Sequence, residues 1–171
     1  MTWPVRPKGR YAASMRIALY QPDIPQNTGA LIRIAACFGL GLDLIGPYGF
    51  TLSDRALKRA GMDYLERAAI TEHESWETFT AAYGQGKRLV LLTTTGDTPY
   101  TQFAFKPDDI LLLGRESAGV PEAIHRRADA GLLIPMQPGT RSLNVAIAGA
   151  IVASEALRQT NAFPVTPPRG Q

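Results

Sequence analysis

Short hydrophobic runs recur along the chain and alternate with longer segments in which hydrophobic positions return every three or four residues. The runs predict six β-strands, at 17–20, 42–46, 68–71, 88–93, 110–114 and 132–135. The longer segments predict helices at 26–38, 54–60, 75–83, 121–127 and 143–159. Strands that are hydrophobic throughout and alternate with helices predict an α/β fold, a mostly parallel six-stranded sheet with helices on both faces.

The composition suits one globular domain, because the chain has 171 residues of which 45% are hydrophobic and 19% are charged. We expect this domain to span 15–160, between a disordered N-terminal extension at 1–14 and a proline-rich C-terminal tail at 161–171. No hydrophobic run reaches the ~18 residues of a membrane helix. The single cysteine, Cys37, excludes an internal disulfide and fits a reducing compartment, so we predict a cytoplasmic protein.

The net charge of +3 comes from the ends of the chain. Of the 18 lysine and arginine residues, three lie in the N-terminal extension and one in the C-terminal tail, and neither segment holds an acid. The predicted domain keeps 14 bases against all 15 acids, a net charge of −1. Within it, Arg55, Lys58 and Arg59 form a local basic cluster, which is either a solvated helix face or a patch that contacts phosphates.

Three predicted strands are followed by polar, charged and glycine residues that are unusual for a simple strand-to-helix connection. The segments are LLTTTGDT (91–98), LLGRESAGVPE (112–122) and LIPMQPGTRSLN (133–144). Ligands bind outside the carboxyl ends of parallel strands, so we expect the binding site there. A Walker phosphate loop and a G-x-G-x-x-G turn are both absent from the sequence, which disfavours a phosphate-anchored nucleotide. His73 and His125 lie in polar segments without metal-ligand spacing, so we expect them to be exposed and expect no metal.

Arg33 stands out on the predicted helix 26–38 because it lies opposite the hydrophobic positions. It is about 200° around the helix from Leu31, and small residues surround it on that face. A solvated face normally shows charged pairs one turn apart. Arg33 is therefore either approached closely by a ligand or a second subunit, or it is an ordinary surface residue.

Glu116 and Ser142 are two further candidates at the predicted site. Glu116 lies in a strand-to-helix loop, where it either meets a ligand or favours the dipole of the following helix. Ser142 stands at the start of the last helix, where its hydroxyl either caps backbone N–H groups or meets a ligand. The helix that follows is rich in alanine and glycine, which suits a tightly packed core or a dimer interface.

The order and spacing of three segments resemble motifs 1, 2 and 3 of the SpoU branch of the SPOUT superfamily, which are S-adenosyl-L-methionine-dependent RNA 2′-O-methyltransferases. The segments are NTGALIRIAACFG, LLLGRESAGVPE and IPMQPGTRSLNVAIAGAIVASEAL. The opening YQPDIPQNTG and the segment KRAGMDY narrow the resemblance to the TrmL type, which methylates the ribose at the tRNA wobble position. The resemblance covers 15–160 and implies a homodimer that binds the tRNA anticodon loop and combines residues of both subunits in each active site.

The resemblance also implies a deep C-terminal trefoil knot, which the hydrophobic pattern does not predict and which is rare among proteins. It implies that the cofactor is bound, largely through backbone groups, by Leu92, Gly114, Ile134 and Ser142. The catalytic neighbourhood implied by the motifs is Arg33, Glu116, Ser142 and Asn144. The tRNA would be bound by Asn27, which also supports the catalytic residues, and by the basic cluster of Arg55, Lys58 and Arg59.

Two positions depart from the family pattern: Ala146 and Ser154 stand where the third motif usually has serine and tyrosine. Two alternatives to wobble methylation are therefore kept. One is 2′-O-methylation at another tRNA position or in ribosomal RNA, since phosphate contacts carry no sequence information. The other is an RNA-binding module that has lost its chemistry.

Overall fold

A computed structural model of the protein describes residues 15–51, 64–83 and 86–165. The N-terminal extension and the predicted helix at 54–60 lie outside these residues. The basic cluster of Arg55, Lys58 and Arg59 lies outside them as well. The domain boundaries at 15 and 160 stay predictions.

Seven strands form one sheet in the described part of the chain. They are β1 (Arg16–Tyr20), β2 (Gly41–Ile45), β3 (Ala69–His73), β4 (Leu89–Leu92), β5 (Thr98–Pro99), β6 (Ile110–Leu113) and β7 (Ala130–Leu133). Their order is β3-β2-β1-β6-β4-β7-β5, and every neighbouring pair is parallel. The α/β class is confirmed, but the prediction of six strands is wrong. The additional strand, β5, has two residues, one of them a proline at the sheet edge, and so carries no hydrophobic run.

Four helices accompany the sheet in the described residues, and each begins and ends within two residues of its prediction. They are α1 (Pro25–Phe38), α2 (Trp76–Tyr83), α3 (Glu122–Arg127) and α4 (Val145–Gln159). Pro25 starts α1, where its missing N–H removes no helical hydrogen bond, and Gly39 ends it in the left-handed conformation at φ 69°. None of the helices in this part of the chain has the length and apolar character needed to cross a membrane.

The helices cover both faces of the sheet, as predicted. The side chains of α1 and α4 pack in one core cluster, and those of α2 and α3 pack in a second. Gly149 brings α4 close to α1, because a Cβ there would lie 2.9 Å from Leu31 Cδ2 and 3.0 Å from Leu113 Cδ1. At Gly149, the small-residue surface of α4 therefore packs in the core of the chain, which is the first of its two predicted roles.

Asp43 organises a buried polar cluster on β2, away from the predicted site. Its carboxylate is fully buried and accepts hydrogen bonds from Arg16 (Nε, 2.5 Å) and from the Tyr83 hydroxyl (2.6 Å). The Nε2 atom of His73 lies 2.8 Å from Asp43 Oδ1. The expectation that His73 is exposed is wrong, because a buried carboxylate needs polar partners and His73 is one of them.

Strand β7 lies between β4 and β5, although β4 and β5 follow each other in the chain. The connection 93–97 between them must therefore cross β7. It does so at Gly96, where a Cβ would lie 2.8 Å from the carbonyl oxygen of Gly131. The Thr93 N–H donates to the Leu132 carbonyl (2.9 Å) at the same crossing. The loop after β7 then leads directly to the carboxyl ends of β4 and β6.

Candidate active site

The carboxyl ends of β4, β6 and β7 surround a cavity of about 510 Å³. Most of its walls come from the three segments at predicted strand ends, 91–98, 112–122 and 133–144. All four residues expected to bind the cofactor line it, namely Leu92, Gly114, Ile134 and Ser142. Asn27, Glu116 and Asn144 line it too. The structure thus brings seven of the predicted site residues to one place.

Gly114 shapes the cavity wall because the chain turns back on itself immediately after β6. Arg115 and Gly119 exchange two backbone hydrogen bonds (3.0 and 2.8 Å) across this turn. A Cβ on Gly114 would lie 2.6 Å from the carbonyl carbon of Gly119 and 2.7 Å from its Cα. Both neighbours are backbone atoms, so a side chain at position 114 requires the whole turn to move.

Hydrogen bonds link Asn27, in the first turn of α1, with Glu116 in the loop after β6 and with Asn144 at the start of α4. Asn27 Nδ2 donates to Glu116 Oε1 (3.2 Å), and Asn144 Nδ2 donates to Asn27 Oδ1 (2.8 Å). Asn144 Oδ1 in turn accepts from the backbone N–H groups of Ala146 (2.9 Å) and Ile147 (3.3 Å) at the start of α4. The helix cap is therefore Asn144, and the alternative in which Ser142 is the cap is wrong. Ser142 is exposed at the cavity wall, which agrees with its other interpretation, contact with a ligand.

Asp23 holds the loop of Glu116 against the start of α1. Its backbone N–H donates to Glu116 Oε2 (2.9 Å). Its carboxylate accepts from Arg115 (Nη2, 3.0 Å), from the Ser117 backbone N–H (3.1 Å) and from the Ser117 hydroxyl. The hydrogen bonds from the Ser117 hydroxyl and from Arg115 hold the pKa of Asp23 below its usual range. Asp23 therefore fixes the position of Glu116 through both its backbone and its side chain.

Asp23 and Arg115 were not predicted as site residues, although both lie within the sequence motifs. The opposite charges of Asp23 and Arg115 are visible in the sequence, but their pairing depends on the neighbouring positions of β1 and β6 in the sheet. His125 and Arg141 line the cavity and were not predicted there either. His125 is half-buried and belongs to α3, so the expectation that it is exposed is wrong.

Arg33 lies apart from the cavity formed by its own chain. It is exposed on α1, opposite the buried Leu31 and Ala35, as the helical spacing predicted. It follows Asn27 by six residues, which places it about 9 Å further along the helix axis. Its guanidinium carbon lies 5.0 Å from the centre of the Tyr64 ring. One chain therefore does not assemble all four predicted catalytic residues.

The sequence of this chain matches known proteins over most of its length. The model of the SpoU rRNA methylase family matches residues 14–154. A tRNA (cytidine(34)-2'-O)-methyltransferase of Beijerinckia indica subsp. indica is 57% identical over 148 residues, 86% of this chain and 92% of the relative. A protein of the same name from Escherichia coli is 40% identical over 147 residues, 85% of this chain and 93% of the relative.

Solved structures share the fold. One, described as giving structural insights into the 2-OH methylation of C/U34 on tRNA, has a TM-score of 0.81 and 42% identity, and the match covers 85% of this chain and 89% of the other. An AdoMet-bound rRNA methyltransferase from Sinorhizobium meliloti has a TM-score of 0.77 and 29% identity, with 84% of this chain and 56% of the other covered.

Proposed function

The chain belongs to the SpoU rRNA methylase family, and from this premise we propose that it methylates the ribose 2′-oxygen at the wobble position of tRNA with S-adenosyl-L-methionine. The main observation behind the proposal is the cavity at the ends of β4, β6 and β7, where seven of the residues expected from the family resemblance meet. The resemblance inferred from the three motifs is confirmed by the family match and by the relatives that are named for this reaction. The protein is an S-adenosyl-L-methionine-dependent tRNA 2′-O-methyltransferase.

The cavity fits the cofactor in size and chemistry. Its volume of about 510 Å³ lies within the range of ~300–1,000 Å³ that is usual for small-molecule sites. Leu92 and Ile134 supply apolar walls, while the turn at Gly114 and the exposed Ser142 supply polar groups. When bound, S-adenosyl-L-methionine supplies a methyl group that is already activated on a sulfonium. The protein's own work is therefore to align the ribose and to exclude water.

We assign Arg33 an electrostatic role in the reaction. An arginine side chain is a very weak acid, so deprotonating it at pH 7 for use as a base costs roughly 8 kcal/mol. A guanidinium that stays charged instead stabilises the negative charge that develops on the 2′-oxygen. Glu116, Asn27 and Asn144 form a hydrogen-bonded network at the wall of the cavity, which Ser142 also lines.

The separation of Arg33 from the cavity of its own chain supports a homodimer. Exposed apolar side chains lie close to the cavity mouth, at Ile24 (40% exposed), Leu143 (39%) and Ile147 (54%). The starts of α1 and α4, which carry these residues, touch through Asn27 and Asn144. Exposed apolar side chains grouped near a cavity are typical of an interaction site. We propose that Arg33 of each subunit completes the cavity of its partner.

We also propose that the C-terminal segment forms the trefoil knot of the family and that the protein acts in the cytoplasm. The insertion of β7 between β4 and β5 supports the knot, because the connection 93–97 crosses the strand that precedes the last helix. Gln159, at the end of α4, is bonded to the backbone of Phe103 and Phe105 in the segment between β5 and β6. The proposed tRNA substrate supports the cytoplasmic location.

The function is tested by nucleoside mass spectrometry of tRNA from cells that lack the gene. We expect the 2′-O-methylated wobble nucleoside to disappear and to return when the gene is restored. If a 2′-O-methyl group is lost instead from another tRNA position or from ribosomal RNA, the protein is a 2′-O-methyltransferase of the same family with that position as its target. Absence of S-adenosyl-L-methionine binding by calorimetry, with and without tRNA, would support the RNA-binding module instead.

Substitution of Asp23 with asparagine is expected to weaken S-adenosyl-L-methionine binding by about 3- to 10-fold, because the charged hydrogen bonds that hold the loop of Glu116 are removed. The lowered pKa of Asp23 means that its interactions are intact at neutral pH and are lost only as the pH falls through that lowered value. Calorimetry at pH 7.5 measures the effect. The control is Glu74→Gln, an exposed acid near β3, and equal affinities for the two variants would contradict the role of Asp23.

We propose that the basic cluster of Arg55, Lys58 and Arg59 binds phosphates of the anticodon stem and loop. Replacing all three with alanine is expected to weaken tRNA binding and to reduce the slope of log K against log salt by about 0.7–0.9 for each phosphate that is no longer neutralised. Filter binding at several salt concentrations measures this slope. An unchanged slope, together with reduced tRNA affinity of a chain that begins at Met15, would assign phosphate binding to the N-terminal extension.

A further inference from the structure

Arg33 and Tyr64 meet although they lie in separate parts of the chain. The guanidinium carbon of Arg33 is 5.0 Å from the centre of the Tyr64 ring, within the ~6 Å at which a cation is attracted to the face of an aromatic ring. Among the described residues, Arg33 makes no hydrogen bond or ion pair. The Tyr64 ring is therefore the contact that orients its guanidinium in this part of the structure.

Tyr64 is held firmly enough to serve as a platform. Its carbonyl oxygen accepts the backbone N–H groups of Arg67 (3.0 Å) and Ala68 (2.8 Å), in the turn that leads into β3. Its half-buried side chain packs against the core cluster beneath α1. Arg33, in contrast, extends from an exposed helix face, and a free arginine side chain carries roughly 2 kcal/mol of rotamer entropy. Contact with a fixed ring removes part of that freedom before the substrate arrives.

We propose that Tyr64 is a positioning residue for the methyl transfer, which holds the Arg33 guanidinium in its working orientation. The proposal rests on the proposed function of Arg33. An aromatic ring suits this task better than a carboxylate, because it attracts the guanidinium without neutralising its charge or occupying its N–H donors. All five donors stay available for the ribose oxygen or a neighbouring phosphate.

The test compares Tyr64→Phe with Tyr64→Leu, each in the wild-type chain and in the Arg33→Ala chain. We expect Tyr64→Phe to keep the single-turnover rate within about 3-fold and Tyr64→Leu to lower it by about 3- to 30-fold. The dissociation constant of S-adenosyl-L-methionine is expected to stay the same, because neither residue is among those that line the cofactor cavity of one chain and the proposed target of Arg33 is the ribose. In the Arg33→Ala chain, Tyr64→Leu is expected to cause no further loss of rate.

Fluorinated phenylalanines at position 64 separate positioning from folding, since they keep the size of the ring and weaken only its attraction for a cation. We expect the rate to fall step by step with added fluorine. A flat series, or an equal effect of Tyr64→Leu with and without Arg33, would overturn the proposal. Failure of the proposed function is visible separately, because the wild-type chain would then not methylate tRNA at all.

Discussion

Replacing Arg33 with alanine is expected to lower the rate of methyl transfer by about 10²- to 10⁴-fold, while the affinity for S-adenosyl-L-methionine stays unchanged. The rate falls because a positive charge is removed from the position where negative charge develops on the ribose oxygen. The affinity stays because the proposed contact of Arg33 is with the ribose oxygen of the tRNA, whereas the cofactor is held by the residues that line the cavity of one chain, and Arg33 is not among them. Single-turnover kinetics with saturating tRNA measure the rate, and calorimetry measures the affinity.

Two further variants sharpen this experiment. Arg126→Ala removes another exposed arginine, on α3, and is expected to leave the rate unchanged. Arg33→Lys keeps the charge but loses the planar fork of donors. Near-wild-type activity of Arg33→Lys would show that a point charge is sufficient and that recognition by two parallel hydrogen bonds is not required. A wild-type rate for Arg33→Ala would remove Arg33 from the active site altogether.

The sequence predicts the direction in which Arg33 points but not the residue it meets. Helical spacing is a local property, so the positions of Leu31 and Ala35 are sufficient to place Arg33 on the opposite, exposed face. The contact with Tyr64 depends on how the turn before β3 packs against α1. No local pattern encodes that packing.

The same distinction explains the errors in the sheet. The four central strands, β1, β2, β4 and β6, are evident as hydrophobic runs because nearly all of their residues are buried. The two residues of β5 belong to the sheet only because β7 inserts beside them, and this insertion involves a strand more than 30 residues further along the chain. The strand order is set by such distant pairings, which the periodicity of a single segment does not contain.

At the site, the sequence identified seven of the residues that face the cavity, but not His125 or Arg141, and not the interactions that hold the site together. Gly114, Glu116 and Asn144 follow from the segments that they occupy. The hydrogen bonds between Asp23 and Arg115 join positions 92 residues apart. They become evident only when β1 and β6 are known to be neighbours.

Gly114→Ala is expected to weaken S-adenosyl-L-methionine binding by about 5- to 150-fold, the equivalent of about 1–3 kcal/mol for an overpacked site. The added methyl group would lie 2.6 Å from the backbone of Gly119, so the turn that forms the cavity wall must shift. Calorimetry measures the loss. The matched control is Gly49→Ala, where a Cβ meets no atom within 4 Å and binding should be unaffected. Equal affinity of the two variants would show that the turn at Gly114 does not form the cofactor site.

Mixed dimers of the Arg33→Ala and Gly114→Ala chains are expected to recover activity that neither chain has alone at low cofactor concentration. In the proposed homodimer, one cavity then has an intact Gly114 turn from its own chain and an intact Arg33 from the partner. Purified mixed dimers, selected with two different affinity tags, should show about half the wild-type rate, since one of two symmetric sites is complete. If Arg33 served the cavity of its own chain, every site in the mixed dimer would carry one defect. No activity would then return, and the shared active site would be contradicted.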